Sequence, residues 1–425
     1  MSSKYTFYDN LAALSKSAHT QFKYEVSVSL YGEKVSEYEV ISYTEERNFN
    51  NYLLPKRLLE VVLPPMVYYN VLSKITPDKP FVPVTMNINL VYYINREASE
   101  TNITARIPFI QAEFMGLTDK TKASKELLKT SRNADSHDTG LDQVYILRIA
   151  LFDLDDMNLC KNGVVSGNVK GKSIEELIQY GFKVCKGNNK VELKMNKPDN
   201  KSVIKNCIVR ALGFKDYIAF LDKEYGIYKS NYNIYVEDSI CYLINTEKTD
   251  KEFAKQCSQK NDEIFIYAYP NTNLPQTFYS FEVKDNHCQY NISQNNLVDD
   301  EISLDAIMRP VEYTINSKGD INKSTVSKSK IESISPTVKV VGGRHRTISK
   351  ENRNPSFSTT VLIEDLPVLV SPYTIVRYVA NNRIGFCNII SSIMVISKGT
   401  MTTQLHINSY EKFMEYEVEP KKTKN

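Results

Sequence analysis

Strict alternation of apolar and polar residues is the sequence feature that most limits how this chain can fold. In QFKYEVSVSL, residues 21–30, every second residue from Phe22 to Leu30 is apolar. The same pattern recurs in FVPVTMNINLVYYI, residues 81–94. A period of two gives a strand one apolar face, which is typical of half-buried strands in antiparallel sheets. The sequence therefore predicts a mostly β protein.

Further strands are predicted where the alternation returns between turn residues. A β-hairpin is expected at 231–246, where Tyr232, Ile234 and Val236 alternate before a Glu-Asp-Ser turn. The remaining strand predictions are at 38–43, 104–117, 142–154, 264–269, 278–283 and 311–315, with a strand-turn-strand-turn-strand unit at 374–410. Tyr and Phe, which favour strands, are abundant, with 28 and 17 residues, and this supports the β-rich prediction.

Helical spacing of apolar residues predicts three helical stretches. In 53–75, Leu58, Leu59, Val62 and Leu63 are spaced for a helix face, and Pro64–Pro65 is expected to stop or kink that helix. A short helix or two half-helices are therefore expected there. Residues 171–184 predict a helix with Ser173 as its N-cap. Residues 200–228 predict two helices divided near Gly213 and ended by Gly226.

The chain of 425 residues is long enough for two or three domains. The fold class predicted from the pattern is α+β, mostly β. We divide the chain into an N-terminal β domain at 1–157, a helical segment at 158–228 and a C-terminal β domain at 229–425. A long polar insertion at 316–358 is expected to be an exposed loop or partly disordered. A second polar stretch, 118–140, is expected to be a surface loop.

Composition narrows the classes of function. Lys and Arg number 53, and Asp and Glu number 50. The resulting net charge of +3 does not indicate nucleic-acid binding and suits protein–protein assembly.

The seven cysteines form no CxxC motif and are odd in number, so reduced buried thiols are expected. The first residues lack the pattern of a signal peptide, and no long apolar run predicts a membrane span. Folding in a cytoplasm is expected.

No group of residues predicts catalysis or metal binding. The acidic stretch FDLDD, with Asp153, Asp155 and Asp156, is either a cation or acid–base cluster or, as we favour, a turn at a strand end. His287 and Cys288 adjoin, but neighbouring strand residues point to opposite faces. The five histidines have no metal-ligand spacing, and VVGGRHR (340–346) lacks the pattern of a phosphate loop. We therefore predict no catalytic, cofactor-binding or metal residues and no enzyme.

Two stretches resemble the baseplate hub proteins of contractile-tailed bacteriophages, which are related to the hub part of type VI secretion spike proteins. The first is FKDYIAFLDKEYGIYKSNYNIYVEDSICYLINTEKT (214–249), where a helix leads directly into a strand pair. The second is the closing unit, with strands expected at Leu369–Val379, Arg383–Ser397 and Thr402–Ile407. It resembles the last barrel strands of this family.

The resemblance implies two tail-tube-like antiparallel β-barrel domains in each chain. Three chains would then form a homotrimeric ring that joins a six-fold tail tube to a three-fold central spike and lines the ejection channel. The implied partners are the central spike protein, the tail tube protein, the tape measure protein and baseplate wedge proteins. DNA would only pass through the lumen, no cofactor or membrane would be involved, and the protein would be part of the virion, assembled in the host cytoplasm.

Two other classes of function stay open at the level of the sequence. The chain could be a virion-associated hydrolase or a carbohydrate-active β protein, in which case Asp153, His287 and Cys288 are the first residues to mutate. It could instead be a receptor-binding adhesin module with exposed tyrosine patches in its loops. On the hub hypothesis, Tyr232, Tyr235 and Tyr242 are expected to lie at interfaces between proteins, where aromatic residues are enriched.

Overall fold

A computed structural model describes most of the N-terminal half and the closing part of the chain. The described residues are 11, 20–35, 39–50, 53–96, 100–118, 145–228, 231–245, 263–270, 279–284, 287–294, 311–315, 321–325, 339–341, 344–346, 355–411 and 413–415. The loop predicted at 118–140 falls outside them, apart from Thr118.

The N-terminal β-region, residues 20–152, contains the strongest alternation of the sequence. Its elements are β1 (Thr20–Leu30), β2 (Glu33–Val35), β3 (Val40–Asn48), β4 (Lys56–Leu63), α1 (Pro65–Lys74), β5 (Phe81–Arg96), β6 (Glu100–Leu117) and β7 (Tyr145–Phe152). The apolar face predicted from Val82 to Leu90 is completely buried in β5. The strands predicted at 21–30, 81–94 and 104–117 are therefore confirmed. The strand predicted at 142–154 is confirmed over Tyr145–Phe152, whereas Leu154 begins a helix and 142–144 lie outside the described residues.

Of the two half-helices expected in 53–75, the one after Pro64 is confirmed as α1, and the one before Pro64 is wrong. Lys56–Leu63 is strand β4, and its inward residues Leu59, Val61 and Leu63 are buried while Leu58 is partly exposed. The two prolines do not stop a helix but begin one, since Pro64 is the N-cap of α1 and Pro65 is in its first turn. Proline suits this position because the first amides of a helix have no partner within the helix.

The central segment, residues 154–245, contains short strands as well as helices. Its elements are α2 (Leu154–Asn162), β8 (Val165–Val169), β9 (Lys172–Ser173), α3 (Ile174–Lys186), β10 (Glu192–Met195), β11 (Val203–Ile204), β12 (Cys207–Leu212), α4 (Phe214–Tyr225), β13 (Tyr232–Glu237) and β14 (Ile240–Asn245). The hairpin predicted at 231–246 is confirmed as β13–β14, with Asp238 and Ser239 at positive φ in its turn.

The two longest helices of the central segment begin and end where the sequence predicts. Ser173 accepts a hydrogen bond from Glu176 N, and the Glu176 carboxylate accepts one from Ser173 N, which completes a capping box at α3. Gly226 ends α4 at a φ of 74°. The helix predicted before Gly213 is wrong, because β11 and β12 pair there with β9 and β8 and bury alternate residues such as Cys207 and Val209.

The C-terminal β-region, residues 263–415, contains the remaining strands. They are β15 (Glu263–Pro270), β16 (Tyr279–Lys284), β17 (His287–Gln294), β18 (Val311–Ile315), β19 (Ile321–Thr325), β20 (Lys339–Val341), β21 (Arg344–Arg346), β22 (Phe357–Glu364), β23 (Ile375–Ala380), β24 (Arg383–Ser397), β25 (Thr400–Ser409) and β26 (Met414–Glu415). The strands predicted at 264–269, 278–283 and 311–315 are confirmed.

The closing unit 374–410 is confirmed as the meander β23–β24–β25. Asn381 and Asn382 form the first turn at φ values of 49° and 60°, and Lys398 begins the second at 53°. The insertion at 316–358 is not entirely a loop, because β19, β20, β21 and the start of β22 lie in it. Its other residues are outside the described part, apart from 355 and 356.

Strands from both β-regions share one 15-stranded sheet. Its main path runs β16-β17-β15-β23-β24-β3-β4-β7-β6-β5-β1-β2, with β22, β25 and β26 reached through β24. The 15 residues of β24 pair with β23, β25 and β26 of their own region and with β3 of the N-terminal region. The expected all-antiparallel pattern is wrong at β15, which runs parallel to both β17 and β23. The architecture is therefore mostly β with a mixed sheet.

The sheet does not close into a barrel through the ladders of the described strands. One backbone hydrogen bond nevertheless connects β1 with the turn between β24 and β25: Tyr24 N donates to Gly399 O at 2.8 Å.

Buried side chains form two cores, a large one within the sheet and a second one around α3 and α4. Within the described residues, no helix combines the length and apolarity needed to span a membrane.

Candidate functional site at a buried charged junction

Four buried charged side chains meet where the N-terminal β-region touches the central segment. Glu45 and Arg47 lie on the inward face of β3, Arg57 lies at the start of β4, and Glu237 ends β13. We call these four residues the charged quartet. Glu45 and Arg57 are buried next to exposed or partly exposed residues of β3 and β4, and Glu237 follows the buried Val236 of β13.

Each carboxylate of the charged quartet contacts both arginines. Arg57 Nε donates to Glu45 Oε1 at 2.6 Å, and Arg57 Nη2 donates to Glu237 Oε1 at 3.2 Å. Arg47 Nη1 lies 3.1 Å from Glu45 Oε2, and Arg47 Nε donates to Glu237 Oε1 at 2.8 Å. The result is a closed ring of alternating charge, in which two positive and two negative groups balance.

Burial makes this arrangement costly unless it is complete. No side chain of the charged quartet is more than 13% exposed. Burial alone raises the pKa of Glu45, but the charges and hydrogen bonds of Arg47 and Arg57 outweigh it, and the pKa lies below its ordinary value. At Glu237 burial dominates over Arg47 and raises the pKa to about 7. Removal of one partner from such a group typically costs 3–5 kcal/mol, a rough range.

Aromatic rings enclose the charged quartet. The Arg57 guanidinium lies over the ring of Phe114, with its carbon 5.2 Å from the ring centroid. Tyr43 and Tyr235 are completely buried nearby, and among the described residues their hydroxyl groups have no hydrogen-bond partner. Burial, which is the largest effect, and the neighbouring carboxylate raise the pKa of each tyrosine, so both remain protonated.

The hairpin β13–β14 is packed on both faces. Ile234, Val236, Cys241 and Leu243 join the core around α3 and α4, while Tyr235 and Tyr242 join the core of the sheet. Tyr235 packs edge-to-face on Phe49 at 4.8 Å between ring centroids. The prediction that Tyr235 and Tyr242 lie at interfaces between proteins is therefore wrong, because both are buried in the core of the sheet. Tyr232 is partly buried.

The acidic stretch FDLDD lies at the end of β7, where it starts a helix. Asp153 is the N-cap of α2 and accepts hydrogen bonds from Asp155 N and Asp156 N at 2.9 and 3.1 Å. Asp156 is buried, and its Oδ1 accepts a 3.0 Å hydrogen bond from Ser239 N in the turn of β13–β14. Burial, then the charge of Asp153, raises the pKa of Asp156 to about 8. Asp156 thus holds the hairpin turn next to Glu237.

The other residues weighed in the sequence do not come together. Cys288 is buried in the core of the sheet, and His406 Nε2 lies 3.2 Å from Ser358 Oγ on the strand pair β22–β25. Arg344–Arg346 is a short strand that pairs with Lys339–Val341. No set of three or more His, Cys, Asp and Glu side chains in the described part of the chain is arranged to hold a metal ion.

The charged quartet therefore joins separate parts of the chain. It connects β3, β4 and β13, which are far apart in sequence, and hydrogen bonds between buried charges fix orientation because only one geometry satisfies all of them. None of the residue patterns of the sequence predicts this quartet. The available signal was Glu45 and Arg47 two residues apart on the face of β3 that also carries Tyr43 and Phe49.

The sequence matches no protein-family model and no curated protein. Among solved structures, it is similar to a 43 kDa tail protein of prophage MuSo2 from Shewanella oneidensis, with 8% identity, 93% of this chain and 99% of that chain covered, and a TM-score of 0.43. It is also similar to a tail protein from Neisseria meningitidis, with 12% identity, 91% and 96% covered, and a TM-score of 0.39.

A third similar structure is an Escherichia coli component of the type VI secretion system that is described as similar to bacteriophage T4 tail proteins. The identity is 6%, the coverage is 94% of this chain and 79% of that chain, and the TM-score is 0.38. These similar solved structures are phage tail and type VI secretion proteins.

Proposed function

We propose that this protein is a structural baseplate hub of a contractile phage tail, which assembles as a homotrimer. In this proposal, residues 1–157 and 229–425 each supply a tube-like domain, and three chains place six such domains around an axis. The ring joins a six-fold tail tube to a three-fold central spike and lines the ejection channel. The segment 158–228 lies beside the two domains.

One observation carries the proposal, namely the pairing of β24 with strands of both β-regions. A pseudo-six-fold ring made from three chains requires the two domains of each chain to keep a fixed relation. A shared strand supplies this, because Ser391–Ser397 of β24 pairs with Ser42–Asn48 of β3 while the start of β24 pairs with β23. The hydrogen bond from Tyr24 N to Gly399 O adds a second connection.

The charged quartet, which joins β3 and β4 to β13, supports the same proposal. A hub carries load between tube and spike, so we expect its parts to be joined rigidly. The quartet and the contact between Phe49 and Tyr235 fix the hairpin β13–β14, and with it the central segment, to the sheet. The partners in this proposal are the central spike, the tail tube, the tape measure and wedge proteins, with DNA only in passage.

Light scattering during size-exclusion chromatography tests the proposal. A homotrimer of a 48.7 kDa chain is expected, and electron microscopy of the purified trimer should resolve six similar domains around an open channel. A stable monomer at every concentration, or a ring with a single such domain per chain, would refute the hub. Retention of the trimer on mutation of Asp153 and Cys288 is also expected, because neither is assigned a role in assembly.

A further inference from the structure

A two-stranded ribbon on the surface of the central segment has an outer face that carries cations and exposed aliphatic side chains. The ribbon consists of β8 and β9, which pair with β12 and β11, and the hydrogen bond from Gly171 N to Ile204 O at 3.0 Å makes it continuous. Its inner face, which includes Val165, Ile204 and Val209, is buried in the core around α3 and α4. We call residues 164–173 and 201–212 the basic ribbon.

The outer face of the basic ribbon combines cations with exposed aliphatic side chains. Residues 164–172 and 201–212 contain no Asp or Glu, and their basic residues are Lys170, Lys172, Lys201, Lys205 and Arg210. All five are exposed. Lys172 pairs with Glu176 at 2.9 Å, whereas Lys170, Lys205 and Arg210 form no ion pair with any described residue.

Three large aliphatic residues lie among these cations and are open to solvent. Val164 is 53% exposed, Val203 is 59% exposed and Ile208 is 58% exposed. Ile208 and Arg210 are two residues apart on the same outward side of β12, as the alternating burial of this strand requires. Val203 lies opposite Ser173 and Ile208 lies opposite Asn168, so the exposed aliphatic side chains are distributed along the ribbon together with the cations.

We propose that the basic ribbon is a docking surface for an acidic protein segment that carries aliphatic side chains. The cations complement carboxylates, and the exposed Ile208, Val203 and Val164 can each contact an aliphatic side chain of such a segment. The outer face has no aromatic residue on which a base could stack, and this disfavours single-stranded nucleic acid. Both edges of the pair β8–β12 are free of other described strands, so an extended segment can also add to the ribbon by backbone pairing.

This inference does not depend on the trimer or on the hub. It concerns a face that is turned away from the core around α3 and α4, and it holds for a monomer as well. Its failure would leave the proposed function unaffected, because the oligomeric state is measured without any ligand.

Fluorescence anisotropy with the purified full-length chain tests the proposal. The probe is a labelled synthetic peptide of Glu with a Leu at every fourth position, compared with an all-Glu peptide and a thymidine oligonucleotide of the same length. Ile208→Ser and Arg210→Glu are each expected to weaken binding of the Glu-Leu peptide about tenfold. The matched controls Val184→Ser and Lys190→Glu, on exposed positions outside the ribbon, should leave it within about twofold.

Each remaining outcome would overturn the proposal. Absence of binding to the Glu-Leu peptide, or equal loss in ribbon and control variants, contradicts a specific surface. Binding of the oligonucleotide as tightly as the peptide, with the same loss in Arg210→Glu and none in Ile208→Ser, would assign the face to phosphate attraction. Circular dichroism of all variants checks that the expected losses occur in folded protein.

Discussion

Arg57 donates a hydrogen bond of 2.6 Å from Nε to Oε1 of Glu45, and both side chains are almost completely removed from water. The two residues face each other from adjacent antiparallel strands, β4 and β3. Glu237, from the distant hairpin β13–β14, completes the coordination of Arg57. A single guanidinium thus joins two parts of the chain that are 180 residues apart. The stability of the molecule should depend on this group far more than on any surface ion pair.

Arg57→Met is expected to destabilise the protein by about 3–5 kcal/mol, because Glu45 and Glu237 would remain buried with only Arg47 to compensate them. The matched control is Arg148→Met. Arg148 also makes a 2.6 Å contact, with Glu60, but its side chain is 56% exposed, so a loss below about 1 kcal/mol is expected. Urea unfolding measures the loss of stability in both variants. Similar losses in the two variants would contradict the role assigned to the charged quartet.

Asp156→Asn is expected to change how stability depends on pH. In the folded protein burial raises the pKa of Asp156 from its ordinary 3.8 to about 8. Between these values the folded state keeps a proton that the unfolded chain has released, so this contribution to stability is complete below about pH 4 and is lost as the pH rises to about 8. Asn stays neutral throughout and can still accept the hydrogen bond from Ser239 N.

The measurement is urea unfolding of both proteins at several pH values. The stability of Asp156→Asn relative to the natural chain should rise between pH 5 and pH 9 by an amount on the order of 2–5 kcal/mol. Glu237, whose pKa burial raises to about 7, leaves a smaller decline in both proteins. A relative stability that does not change with pH would mean that Asp156 is ionised in the folded state.

Local patterns in the sequence were sufficient for most strands and failed where two local patterns compete. Leu58, Leu59, Val62 and Leu63 fit a helix face, yet Leu59, Val61 and Leu63 equally fit a strand face, and the neighbouring strands β3 and β7 decide between them. Pro64–Pro65 predicts the end of a helix, although proline also commonly begins one. The helix predicted over residues 203–212 is wrong for the same reason, since β8 and β9 supply the strand pairing for this stretch.

The charged quartet could not be predicted from local pattern. Its four members come from three strands, and only the fold brings Glu237 to Arg47 and Arg57. Charged residues are seldom buried, and the strand predicted at 38–43 ends before Glu45, so no pattern indicates a buried carboxylate there. Equally, the sharing of β24 between the two β-regions depends on long-range pairing, and the alternation of β24 is the same whether it joins one sheet or two. The closing unit was predictable because its turns, Asn381–Asn382 and Lys398–Gly399, are local signals.

Gly163→Ala is expected to destabilise the protein by about 1–3 kcal/mol or more, because a Cβ at this position would lie 2.1 Å from the backbone Cα of Cys185 in α3. Backbone atoms of a packed helix cannot move aside cheaply. Gly213→Ala is the control, because its nearest neighbour would lie at 4.0 Å. That change should cost only a few tenths of a kcal/mol, mainly through the weaker N-cap of α4. Thermal unfolding compares the destabilisation in Gly163→Ala and Gly213→Ala. Equal destabilisation would show that α2 and α3 are not packed as described.

Val395→Pro tests whether β24 holds the two β-regions together. Proline removes the amide of Val395 from a strand that is paired on both sides, with Thr44 of β3 and with Thr402 of β25. We expect a loss of about 3 kcal/mol or more and faster hydrogen exchange in both β3 and β25. Val395→Thr, which keeps the amide and the shape, should leave exchange in both strands unchanged. If exchange rises in β25 alone, the two β-regions are stable independently of each other, and the fixed relation on which the proposed ring depends is absent.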